Sequence, residues 1–306
     1  MNTKPLFKKP DGFGKRIVMD LPNVEGLIFG ECLGHGHFSH VYKCEYHGIP
    51  VAVKIIERGS DQSTENEVKL LLQLRNCPYI INLIDVKENE QTLLIFEFIQ
   101  SMTMDYFFNE ITIFHFRSIL KKLLEALDIA HSKNIIHRDV KLTNIMIFDD
   151  FSDIRLIDWG CGCIINNEMS SKAGSRSCRS PEMLIGYKGY GKACDLWAVG
   201  IFILYVMSDG YIPWNLKTDQ EALTSLTHYF GSDSIISLCH RYDLPVPPEV
   251  HEGPKQPIFS IESIFSSDMS NLQRPQLINL MKSLLVVDPD ERLNSSQALQ
   301  HPFLKP

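Results

Sequence analysis

The period of apolar and polar positions changes once along the chain. From Gly26 to Phe98, short β-branched and aromatic runs recur at Leu27–Phe29, Val41–Cys44, Val51–Ile56, Ile80–Val86 and Leu93–Phe98, the pattern of strands separated by polar turns. One stretch breaks the rhythm: over Ser63–Leu74, the residues Val68, Leu71, Leu72 and Leu74 recur at helical spacing. Beyond Phe98 the helical period takes over. Phe114–His131 carries a stripe of Phe116, Ile119, Leu120, Leu123, Leu124 and Leu127, and Ala193–Met207 is apolar on nearly every side. Shorter helices are expected at 274–285 and 295–300, after a Pro-dense irregular segment from Pro245 to Pro257. The pattern predicts an α+β, bilobal chain. A polar extension covers 1–26, a small β-rich lobe with one helix covers 27–98, a hinge lies at 97–100, and a larger helical lobe covers 101–304.

Composition narrows the class. The 306 residues are 44% hydrophobic and 22% charged, enough for an extensive core. A net charge of −7 argues against a protein that coats nucleic acid, so no direct nucleic-acid binding is expected, although a local basic groove is compatible with it. No apolar run is long enough for a bilayer, and no membrane partner is expected. Eight scattered cysteines without a CxxC pair fit reduced thiols in cytosol or nucleus. Cys161 and Cys163 form a lone CxC, which is no metal signature, and His35, His37 and His40 read as surface residues.

The chemistry concentrates in His137-Arg138-Asp139-Val140-Lys141-Leu142-Thr143-Asn144, one loop between two apolar runs that holds a base, a cation and a metal ligand. This is the order of the protein-kinase catalytic loop, in which the Asp orients and deprotonates a hydroxyl and the Asn binds Mg²⁺. Asp139 is the candidate base, Lys141 the cation that neutralises the transferred phosphoryl group, and Asn144 a metal ligand. Arg155-Leu156-Ile157-Asp158-Trp159-Gly160 delivers a second metal-binding carboxylate, Asp158, with Trp159 where Phe is usual. Upstream, Leu33-Gly34-His35-Gly36-His37-Phe38-Ser39-His40-Val41 lets a backbone approach phosphate oxygens, although Ser39 replaces the third Gly. Val51-Ala52-Val53-Lys54 follows. A Lys in an apolar strand needs a partner, and Glu67 is preferred to Glu65 as its counter-ion.

With these motifs in order, the chain from about Leu27 to Pro302 resembles eukaryotic protein kinases. Ser180-Pro181-Glu182 would close an activation segment that begins at Asp158, and Arg292 is the expected buried partner of Glu182. Asp195 would hold the backbone of the catalytic loop. The segment points to a protein hydroxyl as acceptor, and Lys141 to serine or threonine. The resemblance implies ATP and Mg²⁺ as cofactors. It implies an ATP site in which Leu33, Gly34, Gly36 and Ser39 belong to the phosphate loop, and an adenine pocket with Val41 and Ala52 above, Met146 and Ile157 below, Phe96 as gatekeeper, and Glu97 and Ile99 at the hinge. Arg138 precedes the base, as in kinases whose activation loop is ordered by an anionic side chain. Ser170 and Ser171 are candidates for phosphorylation, or simply part of a Ser-rich loop.

Two neighbouring families share these features. Leu156–Gly160, Leu74–Ile81 and Ser175-Arg176 look like the casein kinase II catalytic subunit. Lys172–Ser175 leading to Arg179–Glu182, and Gly200–Leu204 through Asp219–Leu223 to Phe230-Gly231-Ser232, look more like the cell division cycle 7 kinases. The polar, acidic stretch Gly59–Glu65 lacks the basic run of casein kinase II, which favours the second family despite the absence of its long inserts. That resemblance implies a nuclear kinase promoting the start of DNA replication, with a regulatory subunit as a possible partner. A non-catalytic pseudokinase scaffold is the alternative from another class, and the filled catalytic positions speak against it.

Overall fold

Strand alternation explains the first sheet. The computed structural model describes residues 21–35, 39–56, 61–88, 91–214 and 216–305. Strands β1 (Leu27–His35), β2 (Ser39–Tyr46), β3 (Ile49–Ile56), β4 (Leu83–Glu88) and β5 (Thr92–Glu97) form one sheet in the order β1-β2-β3-β5-β4. Val51, Val53 and Ile55 on β3, Cys44 on β2, and Leu93 and Ile95 on β5 pack on one face with Val24. The other face carries the intervening residues, because successive side chains point to opposite sides of a strand.

The described residues before Asp61, together with Ile84–Phe98, make one unit; Asp61–Leu83 and the chain from Ile99 onward make a second. The second begins with α1 (Asp61–Gln73) and continues through α2 (Met104–Glu110) and α3 (Ile113–Ser132). The buried positions of α1 are Thr64, Glu67, Leu70 and Leu71, with Leu74 just beyond it, while Leu72 is exposed. The apolar stripe expected from the sequence was therefore turned by about one position, and the true stripe includes a carboxylate.

The sequence run Ile80–Val86 predicts one strand, yet β4 starts only at Leu83. The reason is a competing pairing: Ile81 N–H donates to Leu156 O at 3.1 Å, and Leu156 N–H donates to Tyr79 O at 2.7 Å. Short strands β6 (Ile135–Ile136), β7 (Ile145–Ile147), β8 (Ile154–Leu156) and β9 (Cys163–Ile164) pair as β6 with β9 and β7 with β8. Then come α4 (Pro181–Leu184), α5 (Ala193–Met207), α6 (Asp219–Phe230), α7 (Ser232–Arg241), α8 (Pro248–His251), α9 (Pro275–Leu284) and α10 (Ser295–Leu299). Helix α5 is buried on all sides. A Cβ on its Gly200 would lie 2.7 Å from the Leu285 side chain, so any larger residue there requires Leu285 to shift. This is the expected α+β architecture, a β-sheet part followed by a helical part. No helix among the described residues is long and apolar enough to cross a membrane, and all eight cysteines are free thiols.

Candidate active site

Two pairs of short strands hold two loops together. Strand β6 enters the loop 137–144 and β7 leaves it; β8 enters the loop 157–162 and β9 leaves it. Because β6 pairs with β9 and β7 with β8, the loops are tied at both ends. His137 fastens them in the middle. Its Nε2–H donates to Ile157 O at 2.9 Å, its Nδ1 accepts from Asp139 N–H at 3.2 Å, and its ring meets Trp159 edge-on at 4.7 Å. The sequence reading gave His137 no such role.

Asp139 is ringed by donors. Lys141 Nζ reaches Oδ2 at 2.7 Å, Asn144 Nδ2 reaches the same oxygen at 3.0 Å and the Asp139 carbonyl at 2.9 Å, and Ser175 N–H donates to Oδ1 at 2.7 Å. Burial pushes the Asp139 carboxyl up, but Lys141 and Ser175 outweigh it and hold the group below the ordinary carboxylate value. Lys141 Nζ also donates to Ser175 Oγ at 2.7 Å. Ser175 was not among the predicted site residues; its only signals were its places in Lys172-Ala173-Gly174-Ser175 and in Ser175-Arg176, both stretches that carry a family resemblance.

Beneath the loop, Asp195 accepts from His137 N–H at 2.9 Å, Arg138 N–H at 2.8 Å and His131 Nε2–H at 2.9 Å. The expectation that Asp195 holds this backbone is met. Burial raises the Asp195 carboxyl, and His131 with the His137 N–H pulls it below its ordinary value. A carboxyl lowered in the folded state stabilises above its unfolded value and loses that contribution as pH falls through the folded one. The stability deficit of Asp195→Asn should therefore stay constant between about pH 7 and 5 and shrink only below about pH 4. Urea titrations at stepped pH check this; shrinkage already near neutrality would contradict it.

Asp158 sits at φ 59°, ψ 70°, a left-handed conformation that is uncommon for a residue with a side chain. The turn leaves Asp158 exposed and Trp159 fully buried, with Trp159 Nε1–H donating to Leu156 O at 3.2 Å. Helix α1 packs on the turn that follows: Asn66 Nδ2 donates to Gly162 O at 2.9 Å, and a Cβ on Gly160 would lie 3.4 Å from both Glu67 and Asp158 oxygens. Glu67 is buried where Glu65 is exposed.

In the first unit, strand register gathers four of the predicted nucleotide-site residues. Val41 pairs with Lys54 and Ala52 with Phe96, so all four lie on the sheet face opposite the Val51–Val53–Ile55 core. Gly34 pairs with Val41, Ser39 opens β2 opposite Ile56, Leu33 is exposed on β1, and Glu97 closes β5. Gly36 lies outside the described residues. In the second unit, Ile99 is buried, while Met146 and Ile157 line a depression with Leu142, Met102 and Phe107.

The segment that follows Asp158 is anchored twice. Arg179 donates to Lys172 O at 2.6 Å, Ala173 O at 3.1 Å and Gly174 O at 3.1 Å, and pairs with Asp219 at 3.0 Å. Arg292 is the expected buried partner of Glu182, and the pair is bidentate, at 2.9 and 3.0 Å. Residues 27–304 match the family model described as Protein kinase domain. The chain belongs to the protein kinase family. It is a phosphotransferase that uses ATP and acts on protein.

The kinase's donor set fits Mg²⁺. Both Asn144 Nδ2 hydrogen bonds go to Asp139, so the amide oxygen is the atom left to offer, and Asp158 supplies an exposed carboxylate; hard oxygen ligands are what Mg²⁺ takes. Gly174 controls the spacing of the site. Its φ is +68°, and a Cβ there would fall 2.0 Å from Arg138 O. Gly174→Ala must push the segment off the catalytic loop and weaken the Ser175–Asp139 bond. The expected result is an approximately 10²-fold lower kcat in a chain that still melts cooperatively, since misplacement by about 1 Å has that cost.

Proposed function

We propose that this kinase transfers the γ-phosphoryl group of Mg-ATP to serine and threonine hydroxyls of proteins. The observation that carries the reading is the Asp139 carboxylate, ionised and held at once by Lys141, Asn144 and Ser175. Asp139 takes the hydroxyl proton as the acceptor oxygen attacks. Lys141, two residues on, stands ready to offset charge on the transferred group. Lys54 is the candidate cation for the α- and β-phosphates, and Asn144 with Asp158 would hold the metal. Mg²⁺ bound there would neutralise phosphate charge. The candidate adenine contacts are Val41, Ala52, Phe96 and Glu97 in the first unit, and Ile99, Met146 and Ile157 in the second.

Lys141 supports hydroxyl rather than phenol acceptors, and its bond to the Ser175 hydroxyl supports an acceptor site built around a small alcohol. Phosphoamino-acid analysis of labelled products tests this: label on serine and threonine is expected, and label confined to tyrosine would overturn it. Within the family, the Lys172–Ser175 and Arg179–Glu182 stretches support a cell division cycle 7-like kinase that acts in the nucleus at the start of DNA replication with a regulatory subunit. Affinity capture of the tagged chain from nuclear extract tests that assignment. A single stoichiometric subunit whose addition raises kcat is expected; a regulatory subunit of the casein kinase II type would move the assignment to that family.

A further inference from the structure

We propose that Tyr190 is a positioning residue of this kinase: its hydroxyl ties the activation segment to Arg138 and fixes the segment without phosphate on Ser170 or Ser171. The inference rests on the kinase reading above. Tyr190 OH donates to Ser170 O at 2.6 Å and accepts from Arg138 Nη1 at 3.1 Å. The remaining Arg138 donors go to main-chain carbonyls, Nε to Cys161 O and Nη2 to Gly162 O at 3.4 Å. The guanidinium thus grips both the start of the segment and, through the phenol, its middle. None of these acceptors is a carboxylate or depends on a modified side chain.

The bond is built into a core. The Tyr190 ring is 2% exposed and packs with Ile136, Met169, Met183 and Cys194, and Met169 N–H donates to Lys188 O at 3.0 Å. Burial pushes the phenol up to about 12, against the pull of Arg138, so it keeps the proton it donates to Ser170 at neutral pH. The consequence reaches the reacting groups through the chain. Arg138 is the neighbour of Asp139, its N–H is held by Asp195, and Gly174 sits on its carbonyl immediately before Ser175, which binds Asp139. Loosening 169–175 frees the donor that orients the base.

Tyr190→Phe keeps the packed ring and removes only the tether. Its kcat is expected to be about tenfold lower, with the KM for ATP within about twofold of wild type, the size of effect that one charge-assisted hydrogen bond produces. Amide hydrogen exchange over 169–175 should quicken. The Ser170→Ala/Ser171→Ala chain, treated with phosphatase, should keep the wild-type rate. Wild-type kcat and exchange in Tyr190→Phe would overturn the proposal, as would a loss of more than about tenfold in the double alanine chain. Exchange reads the tether whether or not transfer is detected, so failure of the tether and failure of the kinase reading are distinguishable.

Discussion

Asp139→Asn is expected to lower phosphoryl transfer by about 10²–10⁴-fold, the usual contribution of a positioned general base. The substitution is nearly isosteric, which makes its consequences specific. An amide at 139 can still accept from Ser175 N–H through its oxygen, but its NH₂ must then face Lys141 Nζ and Asn144 Nδ2, both of which donate to Asp139 Oδ2 in the native chain. Two donors meet a donor. The base is lost, and the cation and metal-ligand side chains beside it lose their fixed acceptor. Asp139 bonds to Lys141, Asn144 and Ser175, none of which is expected to hold adenine or the α- and β-phosphates, so the thermal shift on adding Mg-ATP should persist. Steady-state kinetics together with that shift check the prediction; loss of both rate and shift would place Asp139 in ligand binding or folding instead.

The second large effect is on stability. Arg292→Met should destabilise the kinase by about 3–5 kcal/mol, the cost of leaving one member of a buried ion pair uncompensated. Arg292 does more than neutralise Glu182. It also donates to Ala193 O at 2.7 Å, Val286 O at 3.0 Å and Val287 O at 3.3 Å, and lies over the Trp197 ring at 5.2 Å. The guanidinium therefore pins α4, the start of α5 and the loop before α10 at one point. Removing the charge from both partners, in Glu182→Gln/Arg292→Met, should recover part of the loss, because no bare carboxylate remains buried. Chemical denaturation of the four chains of that cycle measures the coupling. An additive double variant would mean that the carbonyl contacts, not the ion pair, carry the effect.

Much of this arrangement was legible in the residues. The helices of long, regular period, Ala193–Met207 above all, lie where apolar spacing placed them, because a helix buried on every side leaves no ambiguity of face. The buried Glu182–Arg292 pair and the Asp195 anchor were implied by the resemblance to protein kinases. Other features were hidden for identifiable reasons. Asp219–Phe230 was not predicted as a helix although Thr218 and Glu221 form a capping box that marks its start. Leu83 begins β4 late because Tyr79–Ile81 bonds to Leu156, a partner distant in sequence. His137 as the clamp between the loops, Ser175 on Asp139, and Tyr190 on Arg138 are tertiary facts. Each is a common polar residue whose role depends on which backbone it meets, and periodicity carries no such information.

The most direct measurement is transfer of label from γ-labelled ATP to a panel of proteins by the purified chain. The arms are wild type with Mg²⁺, wild type with a chelator, and Asp139→Asn with Mg²⁺. Label on serine or threonine in the first arm alone is the predicted result. Equal labelling in all three, or labelling that survives the Asp139 substitution, would contradict the assignment of catalysis to the loop His137–Asn144.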